Sequence, residues 1–570
     1  MAAADVHPPL RQEFIAAGPD KTTRADSAHD VKGLPMTTTT TTTTTPLPSK
    51  WPITHDLAGG DEPCRLEGEV ADLVVQGTIP PELNGTFYRV MTDPFVPPHP
   101  HNIPLDGDGN ISAFHFHSGR VDLKIKYIET ERYLLERAAG KALFGLYRNP
   151  FTHHPCVRAA VDSTANTNLV YWAGHLLALK EGGLPYAVDP RTLETKCYDP
   201  FDLERKLGTK TFTAHPKYDP FQDELVCYGY EARGLASRDT VVFALDHQGA
   251  VKWHAWLQLP WCAPVHDCAI TENFVVLVLW PFEGDVERMK AGGHHWAWSY
   301  ARSATFVVVP RGDGQVARER FGWGEGECRV YEWQNAMLIH AGGAWEDPST
   351  GHIHVSTSRV LDNAFPFFPP TDNRMPAADA QADFVEWTLN PDQATGTKVQ
   401  DPRVLLPTPA EFPRTDERFT THPSKTLFLN VWVPDPAHPA TNIFHSLNGL
   451  ALLTPSSPHP IYFDAGADTS CQEPVFVPRS ADAEEGDGWV LAMVERRREG
   501  RCEVVVLDSR TFGEGPVARV RLPLRVRAQV HGNWVGGDVL GWKEEEGEGV
   551  VRKVREGGSS GRGALEGVKQ

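Results

Sequence analysis

Between residues 49 and 542 the chain reads almost entirely as short β-branched runs closed by turn residues. "DTVVFALDHQGAVKW", "NFVVLVLWPF", "ATFVVVPRGDGQ", "GWVLAMVERRREGRCEVVVLDSR" and "VARVRLP" set Val-rich segments between Asp, Gly and Pro. Apolar runs too short for helices, bounded by turn formers, are strand-and-turn grammar. Helical periodicity is scarce, and "ERYLLERAAGKALFGLY" (Glu131–Tyr147) is its best instance. So long a series of strands without an internal linker has to deal with its sheet edges, either in tandem sandwiches or by radial closure in a propeller. A propeller leaves a central channel for a site. No WD-type repeat marks the blades, so periodicity alone leaves both architectures open.

The flanks read differently. Residues 1–48 include "TTTTTTTTT" (Thr37–Thr45) and have little to bury, so a disordered tail is expected there, with Met36 a possible alternative start. Residues 543–570 are as poor in core residues and are expected to form a second disordered tail, leaving 49–542 as a single catalytic domain. The N-terminus lacks the basic-then-apolar pattern of a secretory signal, and the longest apolar run, "FVVLVLW", has strand length rather than membrane-spanning length. A net charge of −19 disfavours nucleic acid and anionic membranes as partners. The nine cysteines are scattered without a CxxC pair, which fits a reduced, cytoplasmic protein better than a disulfide scaffold.

Of the 24 histidines, four share a context. "TAHPKYDP" (His215), "APVHDCAI" (His266), "MLIHAGGAW" (His340) and "AQVHGNW" (His531) each place the imidazole at the edge of a strand-like segment, beside small or turn residues. Their spacing is too wide and uneven for one helix or loop to present them together. A closed fold that brings strand ends to one axis can. Four neutral imidazoles suit a borderline first-row metal such as Fe, Zn or Cu.

These four contexts, together with "NGTFYRV", "LDGDGNISAFHF", "ALFGLYRNPFT", "ALKEGGLPYAVDP", "EFPR" and "EPVFVPR", closely resemble the carotenoid cleavage oxygenase family over about Trp51 to Trp534. The resemblance implies an all-β, seven-bladed β-propeller with a few helices and loops capping the active-site face. It implies one Fe(II) per chain on the axis, held by His215, His266, His340 and His531. It also implies that Glu181 in "LKEGG", Glu411 in "EFPR" and Glu473 in "QEPVF" orient those ligands, since a carboxylate accepting the far N–H of an imidazole fixes its tautomer and strengthens its donation to a metal. One departure stands out. Where relatives commonly have an Asn–Ala pair after the third histidine, this chain reads "HAGGAWED", and the extra glycine is expected to alter the loop there.

Carotenoids, apocarotenoids and stilbenes are all substrates within such a family. In its stilbene-cleaving branch, a tyrosine and a lysine at the motif positions of Tyr147 and Lys180 hold the substrate's 4-hydroxyl. A polyene offers a buried lysine nothing to engage, and an unpaired buried cation is costly. The expectation is therefore a dioxygenase that uses O2 to split the central Cα=Cβ bond of a resveratrol- or piceatannol-like stilbene into two aromatic aldehydes. Cleavage of a carotenoid or apocarotenoid is the alternative. No protein partner can be inferred.

Overall fold

The computed structural model describes Trp51 and residues 61–542, apart from residues 100, 373, 378–379, 434–446, 455–456, 458 and 467. The tails expected over 1–48 and 543–570, and Met36, lie outside the described residues.

The Val-rich segments form the strands their sequence demands. Asp239–Leu245 pairs with Val251–Gln258, and Gly488–Arg496 with Arg501–Asp508, each antiparallel across a short turn. Seven sheets of four or more strands follow one another along the chain, with one additional two-stranded ribbon of Phe282–Gly284 and Trp296–Trp298. Together they make a seven-bladed β-propeller. Both chain ends contribute to ring closure. Gln529–Gly536 pairs with Gly85–Thr92 in the first blade, and Val74–Gly77 pairs with Ala518–Arg521 in the last. Two such ties leave neither terminal blade with an unpaired joint, which is how a ring removes its edges.

The core lies between neighbouring blades rather than at one centre. Phe87 and Phe114 of the first blade pack with Val475, Leu491 and Val504 of the last, all buried. Val226 and Val242 meet Val265, Val275 and Leu277 across another joint. The strands at one edge of each sheet approach one another around the axis; Val265–Ile270, Met337–Glu346 and Ala410–Arg414 are successive examples. Side chains on these edge strands can therefore converge although their blades are far apart in sequence.

Helix is confined to short pieces. The segment expected as a helix over Glu131–Tyr147 is helical only over Glu131–Ala139. Thr130 caps its start by accepting from the Tyr133 N–H, and Gly140, at φ 63°, ends it in the left-handed conformation that glycine adopts without penalty. Beyond Gly140 the chain folds back, because the N–H groups of Leu143 and Phe144 both donate to Glu136 Oε1, at 2.7 and 2.9 Å. Arg132 ties the helix down through Asp106 and Asp162. The chain from 141 to 149 is thus a braced loop, and Tyr147 sits on it.

Candidate metal centre

The four histidines singled out in the sequence come together. Their ligand-capable nitrogens all lie within 4.8 Å of one another, and the residues are buried or nearly so. His266, His340 and His531 sit on the axial strands Val265–Ile270, Met337–Glu346 and Gln529–Gly536, and His215 lies just before the strand Lys217–Asp219. Local backbone irregularity aims them. The strand register shifts across His266, across His340 and next to His531, so each imidazole sits at a β-bulge. A bulge bends its strand and redirects a side chain that regular pleating would point along a fixed face. The extra glycine noted after His340 belongs to a second such shift. Gly343 has φ 146°, and the pairing jumps from Ala341 to Gly343.

Three imidazoles are held from behind by the three predicted glutamates. His266 Nδ1 lies 2.5 Å from Glu181 Oε1, His340 Nδ1 2.5 Å from Glu411 Oε2, and His531 Nδ1 3.0 Å from Glu473 Oε1. Burial would raise all three carboxyls, but the imidazoles beside them win and hold each below the usual carboxylate range. Ionised carboxylates only accept, so Nδ1 carries the proton in each pair and Nε2 is left with a lone pair. His215 has no such carboxylate among the described residues; its backbone N–H donates to Thr213 Oγ1. Burial, reinforced by the neighbouring imidazoles, keeps His215 well below the usual histidine range and therefore neutral.

The donor set fits a cation. Nε2 of His266 lies 3.2 Å from that of His215 and 3.0 Å from that of His340, while Nε2 of His531 is buried with no hydrogen-bond partner among the described residues. Lone pairs gathered at such distances repel unless a positive ion sits among them, and neutral imidazoles are ligands for Fe, Zn or Cu.

The carboxylates have support that the sequence did not announce. Glu473 accepts from Arg89 Nη1 at 2.8 Å and Arg414 Nη1 at 3.2 Å, and Arg89 is wholly buried. Ser358 Oγ donates to Glu411, whose other oxygen accepts the Phe412 N–H at 2.6 Å. Phe412, forced to φ 51° at the bulge in its own strand, lays its ring against His340. Arg89, Arg414 and Ser358 reach their carboxylate partners from other blades.

On one side of the histidine cluster lies a mostly apolar cavity that includes His266, Glu181, Trp280 and Phe365, as well as Tyr147 and Lys180. The structure brings these last two together, with Lys180 Nζ 4.9 Å above the Tyr147 ring. Lys180 is 5% exposed, donates to Asn166 Oδ1 at 3.1 Å and to the Leu105 carbonyl at 3.3 Å, and has no carboxylate within ion-pair distance among the described residues. These two contacts leave one position on Nζ for the cavity, an N–H in the ammonium and a lone pair in the neutral amine. Burial lowers the Lys180 pKa against the opposing pull of Asp106 and Glu181, and it raises that of the Tyr147 phenol. A second, larger cavity reaches His215, His340 and His531 on the same cluster and is lined by polar groups such as Lys217 and Arg414.

The family model described as retinal pigment epithelial membrane protein matches residues 61–536. The chain is 59% identical over 521 residues to resveratrol cleavage oxygenase 1 of Botryotinia fuckeliana, covering 91% of this chain and 92% of that one. It is 39% identical to resveratrol cleavage oxygenase 1 of Aspergillus fumigatus over 87% of this chain and 98% of the other. The solved structure of a lignostilbene dioxygenase from Pseudomonas brassicacearum superposes with a TM-score of 0.79 at 38% identity, covering 86% of this chain and all of that one.

Proposed function

The chain belongs to the carotenoid cleavage oxygenase family, and from that premise we propose that it cleaves the central Cα=Cβ bond of a 4-hydroxystilbene of the resveratrol or piceatannol type with O2. The products are two aromatic aldehydes. The C=C and O–O bonds break, two C=O bonds form, and each product keeps one oxygen atom of O2. The similarity to proteins named for resveratrol and lignostilbene supports this reading. The observation that carries it is Lys180, a buried amine with no carboxylate within ion-pair distance among the described residues, over Tyr147 in the wall of the cavity that reaches His266.

Fe(II) bound by His215, His266, His340 and His531, one ion per chain, would supply the activation of O2. Glu181, Glu411 and Glu473 keep the Nδ1 protons in place, so that His266, His340 and His531 offer Nε2 to the ion. At the other end of the cavity, Tyr147 and the free position on Lys180 Nζ orient the substrate's 4-hydroxyl. Burial disfavours the ammonium, and the neutral amine of Lys180 takes the phenol proton on Nζ and keeps it, as an ammonium, beside the new phenolate. The two charges form together as an ammonium–phenolate pair, so neither is buried without a partner. The ionised para-oxygen pushes electron density through the ring into the alkene, making it a better target for oxidation. The apolar walls exclude water from the reacting bond. A polyene would leave Lys180 unpaired in the same cavity. All nine cysteines are free, which supports the cytoplasmic reading.

The test is aldehyde analysis after incubating iron-loaded protein with resveratrol and, separately, with β-carotene. Two aromatic aldehydes from resveratrol, and no cleavage of β-carotene, are expected; the reverse pattern establishes the carotenoid alternative.

A further inference from the structure

Next to Tyr147 the cavity wall carries a second phenol, Tyr230, which is 2% exposed. Its oxygen accepts a hydrogen bond from Arg148 Nη1 at 3.1 Å. That contact uses the oxygen and leaves the O–H proton free, and no acceptor for it lies within hydrogen-bond distance among the described residues. A buried hydroxyl without an acceptor is costly, so a position that retains one has a use for it.

Arg148 is fixed far more firmly than a surface arginine. Its Nη2 lies 2.5 Å from Glu231 Oε2, and Glu231 in turn meets His295 Nε2 at 3.0 Å, while His295 Nδ1 returns to the Arg148 carbonyl at 2.9 Å. Arg148 and Glu231 both have positive φ, 52° and 51°, an uncommon conformation for such side chains that the closed ring of contacts sustains. The guanidinium lies against the Tyr230 ring, 5.3 Å from its centroid. It follows Tyr147 directly in the chain and acts electrostatically on both phenols. The two tyrosines therefore serve one end of the cavity, and the cation polarises the Tyr230 O–H.

Resting on the stilbene reading above, we infer that Tyr230 is a third substrate-contacting group, donating its O–H to an oxygen on the ring carbon next to the 4-hydroxyl. Tyr147 and Lys180 hold the 4-oxygen, and Tyr230 reads its neighbour. Arg148, Glu231 and His295 act through Tyr230 as positioning residues. The preferred ligand class is then a catechol or guaiacol ring, in which that neighbouring oxygen is present, over a ring bearing the 4-hydroxyl alone.

Piceatannol and resveratrol differ by this one hydroxyl, so their dissociation constants for the iron-loaded, full-length protein without O2 isolate the contact. The wild type should bind piceatannol more tightly. Tyr230→Phe, which keeps the ring, should weaken piceatannol by about tenfold, the usual loss for one hydrogen bond to a polarised donor, and leave resveratrol unchanged. Equal weakening of both ligands, or of neither, overturns the assignment. A wild-type protein that binds neither ligand defeats the stilbene reading itself, a different outcome from an unselective variant.

Discussion

At the histidine end of the cavity, His266, His340 and His531 each meet a buried carboxylate, and those carboxylates are themselves engaged: Glu473 by Arg89 and Arg414, Glu411 by Ser358. At the phenol end, among the described residues, Lys180 has no carboxylate within ion-pair distance and the Tyr230 hydroxyl no acceptor, although both are buried. The same fold thus completes one polar network and leaves the other open. In the first, the unmet need is for a cation, expressed by Nε2 lone pairs facing one another. In the second, it is for an oxygen atom of the ligand. Preorganisation takes opposite forms at the two ends, since a metal site is built by satisfying everything except the ion, and a recognition site by withholding partners the substrate will bring.

The comparison breaks most visibly at the histidines. His266→Ala or His531→Ala should lose most of the metal and all cleavage, because three neutral ligands hold the ion less well; stoichiometric iron in both purified variants would contradict the assignment. The phenol end should behave in the opposite way. Lys180→Met keeps bulk but removes the charge, and should retain full iron while losing stilbene cleavage by about 10²- to 10⁴-fold, the range of a general acid–base contribution. Glu473→Gln should keep part of the iron and lower activity by about 10- to 100-fold, as expected for a group that orients a ligand without touching the ion. It should also lower Tm, since Arg89 then stands buried beside a neutral amide. Full turnover and unchanged melting would remove Glu473 from the site. Tyr147→Phe should show the smallest loss, about 0.5–1.5 kcal/mol in kcat/KM for one hydrogen bond. Iron in that variant should be unchanged, so a drop in metal content would merge the two ends that the account keeps apart.

Much of the histidine end was legible in the sequence, because each histidine and glutamate lies in a distinctive local motif. The β architecture was legible too, since Val-rich runs such as Phe274–Leu279 fit a buried strand. The bulges that aim His266 and His340 were not, because register is a property of two strands and neither alone encodes it. The roles of Arg89 and Ser358 were invisible for a related reason: they reach their carboxylates from other blades, and although Arg89 lies within "NGTFYRV", neither that motif nor a serine in a strand carries any mark of its partner. The helix stops well short of Tyr147 although apolar spacing continues past Gly140, because the left-handed backbone of that glycine ends it. His295 and Glu231, in unremarkable loops, gave no signal at all; they matter through Arg148.

The central claim is that Lys180 and Tyr147 hold and ionise the substrate's 4-hydroxyl while the four histidines serve the metal. Its most direct test is turnover by the iron-loaded wild type of resveratrol beside the same stilbene methylated at the 4-oxygen. The ether keeps the alkene, both rings and nearly the same shape, but has no proton to give Lys180. Aldehydes from resveratrol and essentially none from the ether are expected; cleavage of the two at comparable rates would show that the 4-hydroxyl is not ionised for the reaction.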